Sequence, residues 1–160
     1  MVGAFEQVVS RLPLIISFQS LVLDMAGNVG TQSLAVTIRV LTDRRAGRAQ
    51  KLRLLAKETR VGAANGLALA VLSVAFIGLY LVLFKGQDAV LALSVAFCTS
   101  VALAVSIVLS SAAGTVIPLV FDRLHIDPAV ASGPLITTVN DLIAVVTYYG
   151  LAWLLLMRAV

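Results

Sequence analysis

The run VGAANGLALAVLSVAFIGLYLVLF (residues 61–84), the turn KGQD (85–88) and the run AVLALSVAFCTSVALAVSIVLSSAAGTVIPLVF (89–121) decide the fold. Neither apolar run carries a charged side chain. A bilayer core about 30 Å thick is crossed by roughly 20 mostly apolar residues in a helix. Inside it, only a helix or a closed barrel satisfies every backbone N–H and C=O. Two such runs joined by four polar residues therefore predict an antiparallel transmembrane hairpin. Gly62 and Gly66 form a G-x-x-x-G pair, the spacing that lets two helix backbones approach closely. The second run is longer than one span needs, and Gly114 and Pro118 are its expected kink points. Its serines (Ser94, Ser100, Ser106, Ser110, Ser111) read as helix-packing positions.

Two further segments qualify on either side, about 5–41 and about 129–157, giving four spans at about 5–41, 61–84, 89–121 and 129–157. The whole chain fits that reading. Of its 160 residues 60% are hydrophobic and 12% charged, and its mean hydropathy is +1.02. A soluble domain carries about 45–50% apolar and about 25% charged residues. The expected fold is an all-α, polytopic helical bundle embedded in the lipid bilayer. No internal repeat of transporter type is evident, and no secretory signal peptide is expected at the start.

The net charge of +4 does not indicate a nucleic-acid partner, because the cations are concentrated in one place. Arg39, Arg44, Arg45, Arg48, Lys51, Arg53, Lys57 and Arg60 are eight of the twelve basic residues, opposed there only by Asp43 and Glu58. The positive-inside rule makes this a cytoplasmic loop over 42–60. A solvated loop that simply fixes topology is the favoured reading, although its second half, Gln50 to Arg60, has helical residues and could lie along anionic headgroups. Counting spans from that loop puts the C-terminus outside the cell and the protein in the plasma (bacterial inner) membrane. Cys98 is alone in an apolar run, so neither a disulfide framework nor a thiolate metal site is expected. His125 likewise has no partner of metal-ligating type nearby in sequence.

Two of the eight acidic residues, Asp24 and Asp141, fall deep in apolar segments. A carboxylate at mid-bilayer costs about 2.5–3.5 kcal/mol on insertion scales, so it reads as functional. Gly133, Thr137 and Asp141 follow at i, i+4 and i+8, one stripe of a helix. Such a stripe offers oxygen donors and no cation. Asp24 precedes the glycine-rich stretch Ala26-Gly27-Asn28-Val29-Gly30-Thr31-Gln32, which reads as an interruption of the first helix lining a cavity. A close helix–helix contact is the competing reading, although packing alone does not require Asn28 or Gln32. Neither aspartate has an evident buried Lys or Arg, which makes a cation the missing partner; a protonated, hydrogen-bonded aspartate is the alternative. All-oxygen surroundings favour Mg2+, Ca2+, Mn2+ or alkali ions. Mg2+ sheds water reluctantly and is held through one or two carboxylates with several waters kept. One aspartate per chain suits such a hydrated ion, above all where a two-fold axis pairs two copies.

The stretches 24–33 (DMAGNVGTQS) and 127–141 (DPAVASGPLITTVND) resemble the membrane domain of MgtE-type magnesium channels, and the similarity extends over essentially the whole chain. The resemblance implies a homodimer of five-helix subunits with a pore at the dimer axis, between the second and fifth helices. By that resemblance Asp141 binds hydrated Mg2+, the transported ion, at the cytoplasmic side of the pore. Gly133 and Thr137 would line the same site, and Asn28 and Gln32 would face it from the other helix. Gly133 stands where some relatives carry a side-chain amide. With four spans, the family's first helix and its cytoplasmic magnesium-sensing domains are expected to be missing from this chain.

The expected function is thus Mg2+ permeation and not enzymatic catalysis. A proton-coupled divalent cation exchanger using Asp141 is one rival. An intramembrane aspartyl protease using Asp24 and Asp141 as a dyad is another, disfavoured because no Gly-x-Gly-Asp element precedes Asp141.

Overall fold

The computed structural model of the chain describes residues 13–42, 47–131 and 134–156. They form four long helices: α1 (Pro13–Thr42), α2 (Arg48–Leu83), α3 (Ala89–Arg123) and α4 (Pro134–Leu156), with a short 3-10 turn, Pro128–Ala131, leading into α4. Each is long and apolar enough to cross a membrane. There is no strand among the described residues. The all-α, four-span expectation is met; residues 5–12, 132–133 and 157 of the expected spans lie outside the described residues.

α3 is the centre of the bundle and packs against all three other helices. Its composition explains why. Ala92, Ala96, Ala102, Ser106, Ser110, Ser111 and Gly114 are all buried, and side chains this small let three neighbours close in on one axis. A Cβ added to Gly62 would lie 2.7 Å from the Ser111 Cβ, and one added to Gly66 would lie 3.0 Å from the Ala104 carbonyl oxygen. The G-x-x-x-G pair is therefore the α2–α3 contact itself.

The hairpin between them turns at Gly86, whose φ of +61° is the left-handed conformation that glycine adopts without strain. Asp88 then caps α3, its carboxylate accepting from the backbone N–H of Val90 at 2.9 Å and of Leu91 at 3.4 Å.

Two expectations are corrected. The glycine-rich stretch 26–32 is not an interruption, because α1 runs unbroken through it. Each glycine weakens a helix by about 1 kcal/mol, less than an unsatisfied backbone pair costs in an apolar medium, several kcal/mol per group. The basic stretch 42–60 is mostly helix rather than loop. α2 begins at Arg48, since residues 48–60 contain no Gly or Pro, and Leu54 and Glu58 are buried in the bundle. At about 1.5 Å per residue the 36 residues of α2 reach well beyond the bilayer core. Pro118 lies inside α3.

A hydroxyl relay ties α1, α2 and α3 together. Ser111 Oγ donates to the Glu58 carbonyl at 2.8 Å and lies 2.8 Å from Ser33 Oγ. With the Ser111 proton committed to Glu58, Ser33 is the donor of the second bond. Ser111→Ala leaves the Ser33 hydroxyl without its acceptor inside the bundle. Interhelical hydrogen bonds in membranes are worth about 0.6 kcal/mol on average and at most about 1.7. A melting point lowered by a few degrees in detergent is expected, and an unchanged one would refute the relay.

Candidate functional site

The outward faces of the helices differ in chemistry. On α2 the exposed side chains through the apolar run include Leu67, Val71, Leu72, Phe76, Leu79 and Leu83, the surface hydrocarbon chains cover. On α1 the exposed face reads Ser17, Ser20, Asp24, Asn28, Thr31, Ala35, Arg39 and Thr42, with Gln32 at its edge. All but Ala35 are polar, and they recur every three or four residues, so they make one mostly polar stripe along the helix, with the exposed Ile16 and Val36 beside it. On α4 the exposed residues of the first turns include Thr137, Thr138 and Asp141. Polar stripes facing lipid would be costly; these belong against water or another polar surface.

The register of α1 against α4 brings the two stripes to one height. Tyr149 Oη donates to the Gln19 side-chain oxygen at 2.7 Å, and Tyr148 Oη donates to the Ile15 carbonyl at 2.7 Å. Lower down, Gly30 abuts Asn140 and Leu34 packs with Ile136. In this antiparallel pairing Asn28 is level with Asp141, and Gln32 with Thr137. Asp24 stands one turn from Asn28, about 6 Å along the axis. Gly133 lies outside the described residues. Asp24 and Asp141 form no hydrogen bond with one another, so no carboxylate dyad is assembled. Neither is ion-paired among the described residues.

Thr31 Oγ1 lies 3.0 Å from the Gly27 carbonyl and 2.9 Å from the Asn28 carbonyl and donates to both. The stripe is thereby fixed on a regular helix, and the close approach of α1 to its neighbours comes from glycine packing. A Cβ at Gly114 would lie 3.0 Å from the Gly30 carbonyl carbon and 3.2 Å from the Leu34 nitrogen.

Asn140 is the residue that sequence reasoning missed. It is 0% exposed, and neither its Nδ2 nor its Oδ1 has a hydrogen-bond partner among the described residues. A Cβ at Gly30 would lie 2.7 Å from its Cγ and 2.8 Å from its Oδ1. The amide fills the notch that Gly30 leaves, directly behind Asp141. Successive helical residues point about 100° apart, so when Asn140 is turned inward its neighbour Asp141 is turned outward. The available signal was the Asn140-Asp141 pair itself, because side chains about 100° apart on one helix point in different directions.

Comparison with known proteins places these residues in context. The sequence pattern of the MgtE family, described as divalent cation transporter, matches residues 19–151. The chain is 34% identical to the magnesium transporter MgtE of Bacillus subtilis over 151 residues, covering 94% of this chain and 32% of the relative. It is 34% identical to the magnesium transporter MgtE of Enterococcus faecalis over 152 residues, 95% of this chain and 32% of that relative. To the magnesium transporter MgtE of Thermus thermophilus it is 30% identical over 152 residues, with the same shares. The chain thus spans about a third of the length of these relatives.

Proposed function

This chain belongs to the MgtE family of divalent cation transporters, and from that premise we propose that its bundle forms half of a homodimeric pore that passes hydrated Mg2+. The observation that carries the reading is the polar, outward stripe of α1 and α4 beside the apolar outer face of α2, with two carboxylates that pair with no cation among the described residues. A two-fold axis in front of that stripe would set two Asp141 carboxylates across a water-filled path. Mg2+ keeps most of its inner waters, so Asp141 acts on the hydrated ion through those waters. Thr137, Asn28 and Gln32, at the same height, bond the water shell, and the Gly133 backbone adds a carbonyl or leaves space. Asp24, one turn away, supplies a second negative ring that draws cations along the path. The basic end of the bundle lies in the cytoplasm and the C-terminal end of α4 outside the plasma membrane.

The test is Mg2+ uptake by proteoliposomes under an inside-negative potassium diffusion potential with equal pH on both sides. Uptake that follows the imposed voltage is expected. Uptake that instead requires a pH gradient at fixed voltage would replace the channel by a proton-coupled exchanger.

The dimer is checked separately. Thr138→Cys places a thiol on the exposed face of α4 beside Asp141, and the native Cys98 is buried. Oxidation in membranes is expected to give a disulfide-linked dimer of the Thr138→Cys chain, while the same treatment of Leu72→Cys on the apolar outer face of α2 leaves it monomeric on denaturing gels. No cross-link from any exposed position of α1 or α4 would refute the axis.

A further inference from the structure

At the basic end of the bundle a cleft of about 550 Å3 opens between α2 and α3, lined by Arg48, Lys51, Leu52, Leu119, Asp122, Arg123 and His125. It plays no part in the path proposed above. Lys51 Nζ lies 2.5 Å from Asp122 Oδ2, so the one carboxylate in the cleft is neutralised by its neighbour across the two helices. Arg48 and Arg123 have no ion-pair or hydrogen-bond partner among the described residues. The cleft therefore carries two uncompensated guanidinium groups, with the His125 imidazole beside them on a backbone turned to φ 59°.

Along α3 the surface that leads to this charge is apolar. Val105, Leu109, Val116 and Val120 are all exposed and follow one ridge of α3. Arg123 stands five full turns after Val105 on the same ridge and one turn beyond Val120. Leu52, 69% exposed, lines the cleft itself, and Leu124 and Ile126 are exposed around its α3 end. A site for a soluble anion has no use for a hydrocarbon track running into it. A phospholipid does: acyl chains lie along the ridge, and the head sits where the ridge ends in cations. Guanidinium groups match phosphate oxygens through paired N–H donors, and basic pockets between membrane helices on the cytoplasmic side are a known mode of headgroup recognition.

We propose that the Arg48–Arg123 cleft binds the phosphate of one anionic phospholipid, with its acyl chains along the Val105–Val120 ridge of α3. The charge count gives the specificity. Two unpaired guanidinium groups prefer a headgroup of net negative charge, such as phosphatidylglycerol, over a zwitterionic one such as phosphatidylcholine.

Native mass spectrometry of the whole chain in detergent, titrated with each of these two lipids, tests the site. The wild type is expected to retain one phosphatidylglycerol at least tenfold more tightly than phosphatidylcholine. Each basic residue near the bilayer surface contributes about fivefold, so Arg48→Gln/Arg123→Gln should bind phosphatidylglycerol roughly 25-fold more weakly and lose the preference. Arg53→Gln, which removes one exposed charge outside the cleft, is expected to bind as the wild type does. Equal retention by the double variant and the wild type, or equal loss in Arg53→Gln, would overturn the site. Displacement of bound lipid by millimolar inorganic phosphate would show a free-anion site and overturn the lipid assignment. Displacement by a polyglutamate peptide but not by added phosphatidylglycerol would assign the cleft to an acidic protein segment and overturn it equally.

Discussion

Asp141→Asn is expected to lower Mg2+ flux through reconstituted protein by at least about a hundredfold, without lowering thermal stability. The side chain is exposed and has no ion-pair partner among the described residues, so amidation removes charge and little else. A doubly charged ion about 4 Å from one carboxylate is favoured by roughly 2 kcal/mol in bulk water and roughly 8 kcal/mol at an effective dielectric constant of 20. A water-lined path between two subunits lies between those limits and presents the carboxylate twice. Since about 2.7 kcal/mol is a hundredfold in rate, even the lower half of that range produces the effect. Asp141→Glu keeps the charge but moves it one methylene further out, so partial flux is expected. Asp24→Asn removes a charge one turn away, where a hydrated ion is further screened, and a smaller fall of about tenfold or less is expected. Flux at the wild-type level in Asp141→Asn would end the assignment of the ion site to α4. Equal falls in Asp24→Asn and Asp141→Asn would move the controlling carboxylate to the pair as a whole.

The four spans were legible in the sequence because hydropathy and span length are local properties. A charge-free run such as 89–121 admits one structure in lipid. The Gly62–Gly66 contact was legible for the same reason, since the motif names its own geometry. What escaped reading depended on neighbours distant in sequence. Glycine in α1 looked like a break because helix propensity is a property of water, whereas in a bundle α1 keeps its hydrogen bonds and spends Gly30 on contact with Gly114 and Asn140. The basic stretch looked like a loop because its charge was read before its helix-forming residues; in the fold Leu54 and Glu58 bury one side of it against the bundle. Asp24, Asn28, Thr137 and Asp141 were all identifiable as polar residues in apolar segments. That Asn28 stands level with Asp141 follows only from the α1–α4 register, set by Tyr148 and Tyr149, which nothing in their local sequence distinguishes from ordinary core aromatics.

The glycine contacts predict the second large effect, read on stability rather than flux. Gly30→Ala and Gly114→Ala both add one methyl to a junction with no room for it, yet the two are expected to differ in how they are relieved. At Gly30 the new Cβ meets the Asn140 amide, a side chain that makes no hydrogen bond among the described residues. At Gly114 it meets the Gly30 carbonyl group and the Leu34 nitrogen, which are backbone and move only if α1 moves. Overpacking of this kind costs about 1–3 kcal/mol, occasionally more, and the gain of about 1 kcal/mol in helix propensity from Gly to Ala offsets part of it. Net losses of up to about 2 kcal/mol are therefore expected for Gly30→Ala and more for Gly114→Ala, measured as lowered melting points in detergent. Gly27→Ala, whose Cβ meets nothing within 4 Å, should be neutral or slightly stabilising and serves as the control. Truncating the amide separates the two cases. In Gly30→Ala/Asn140→Gly the methyl occupies the space that the amide leaves, and a buried, unbonded polar group disappears with it. The double variant is expected to melt above Gly30→Ala, whereas Gly114→Ala/Asn140→Gly should be no more stable than Gly114→Ala. Additive losses in both pairs would mean that α1, α3 and α4 are not locked at this junction. The lock matters for the proposed ion site because Asn140, seated in the Gly30 notch, leaves Asp141 turned outward on the next residue of α4.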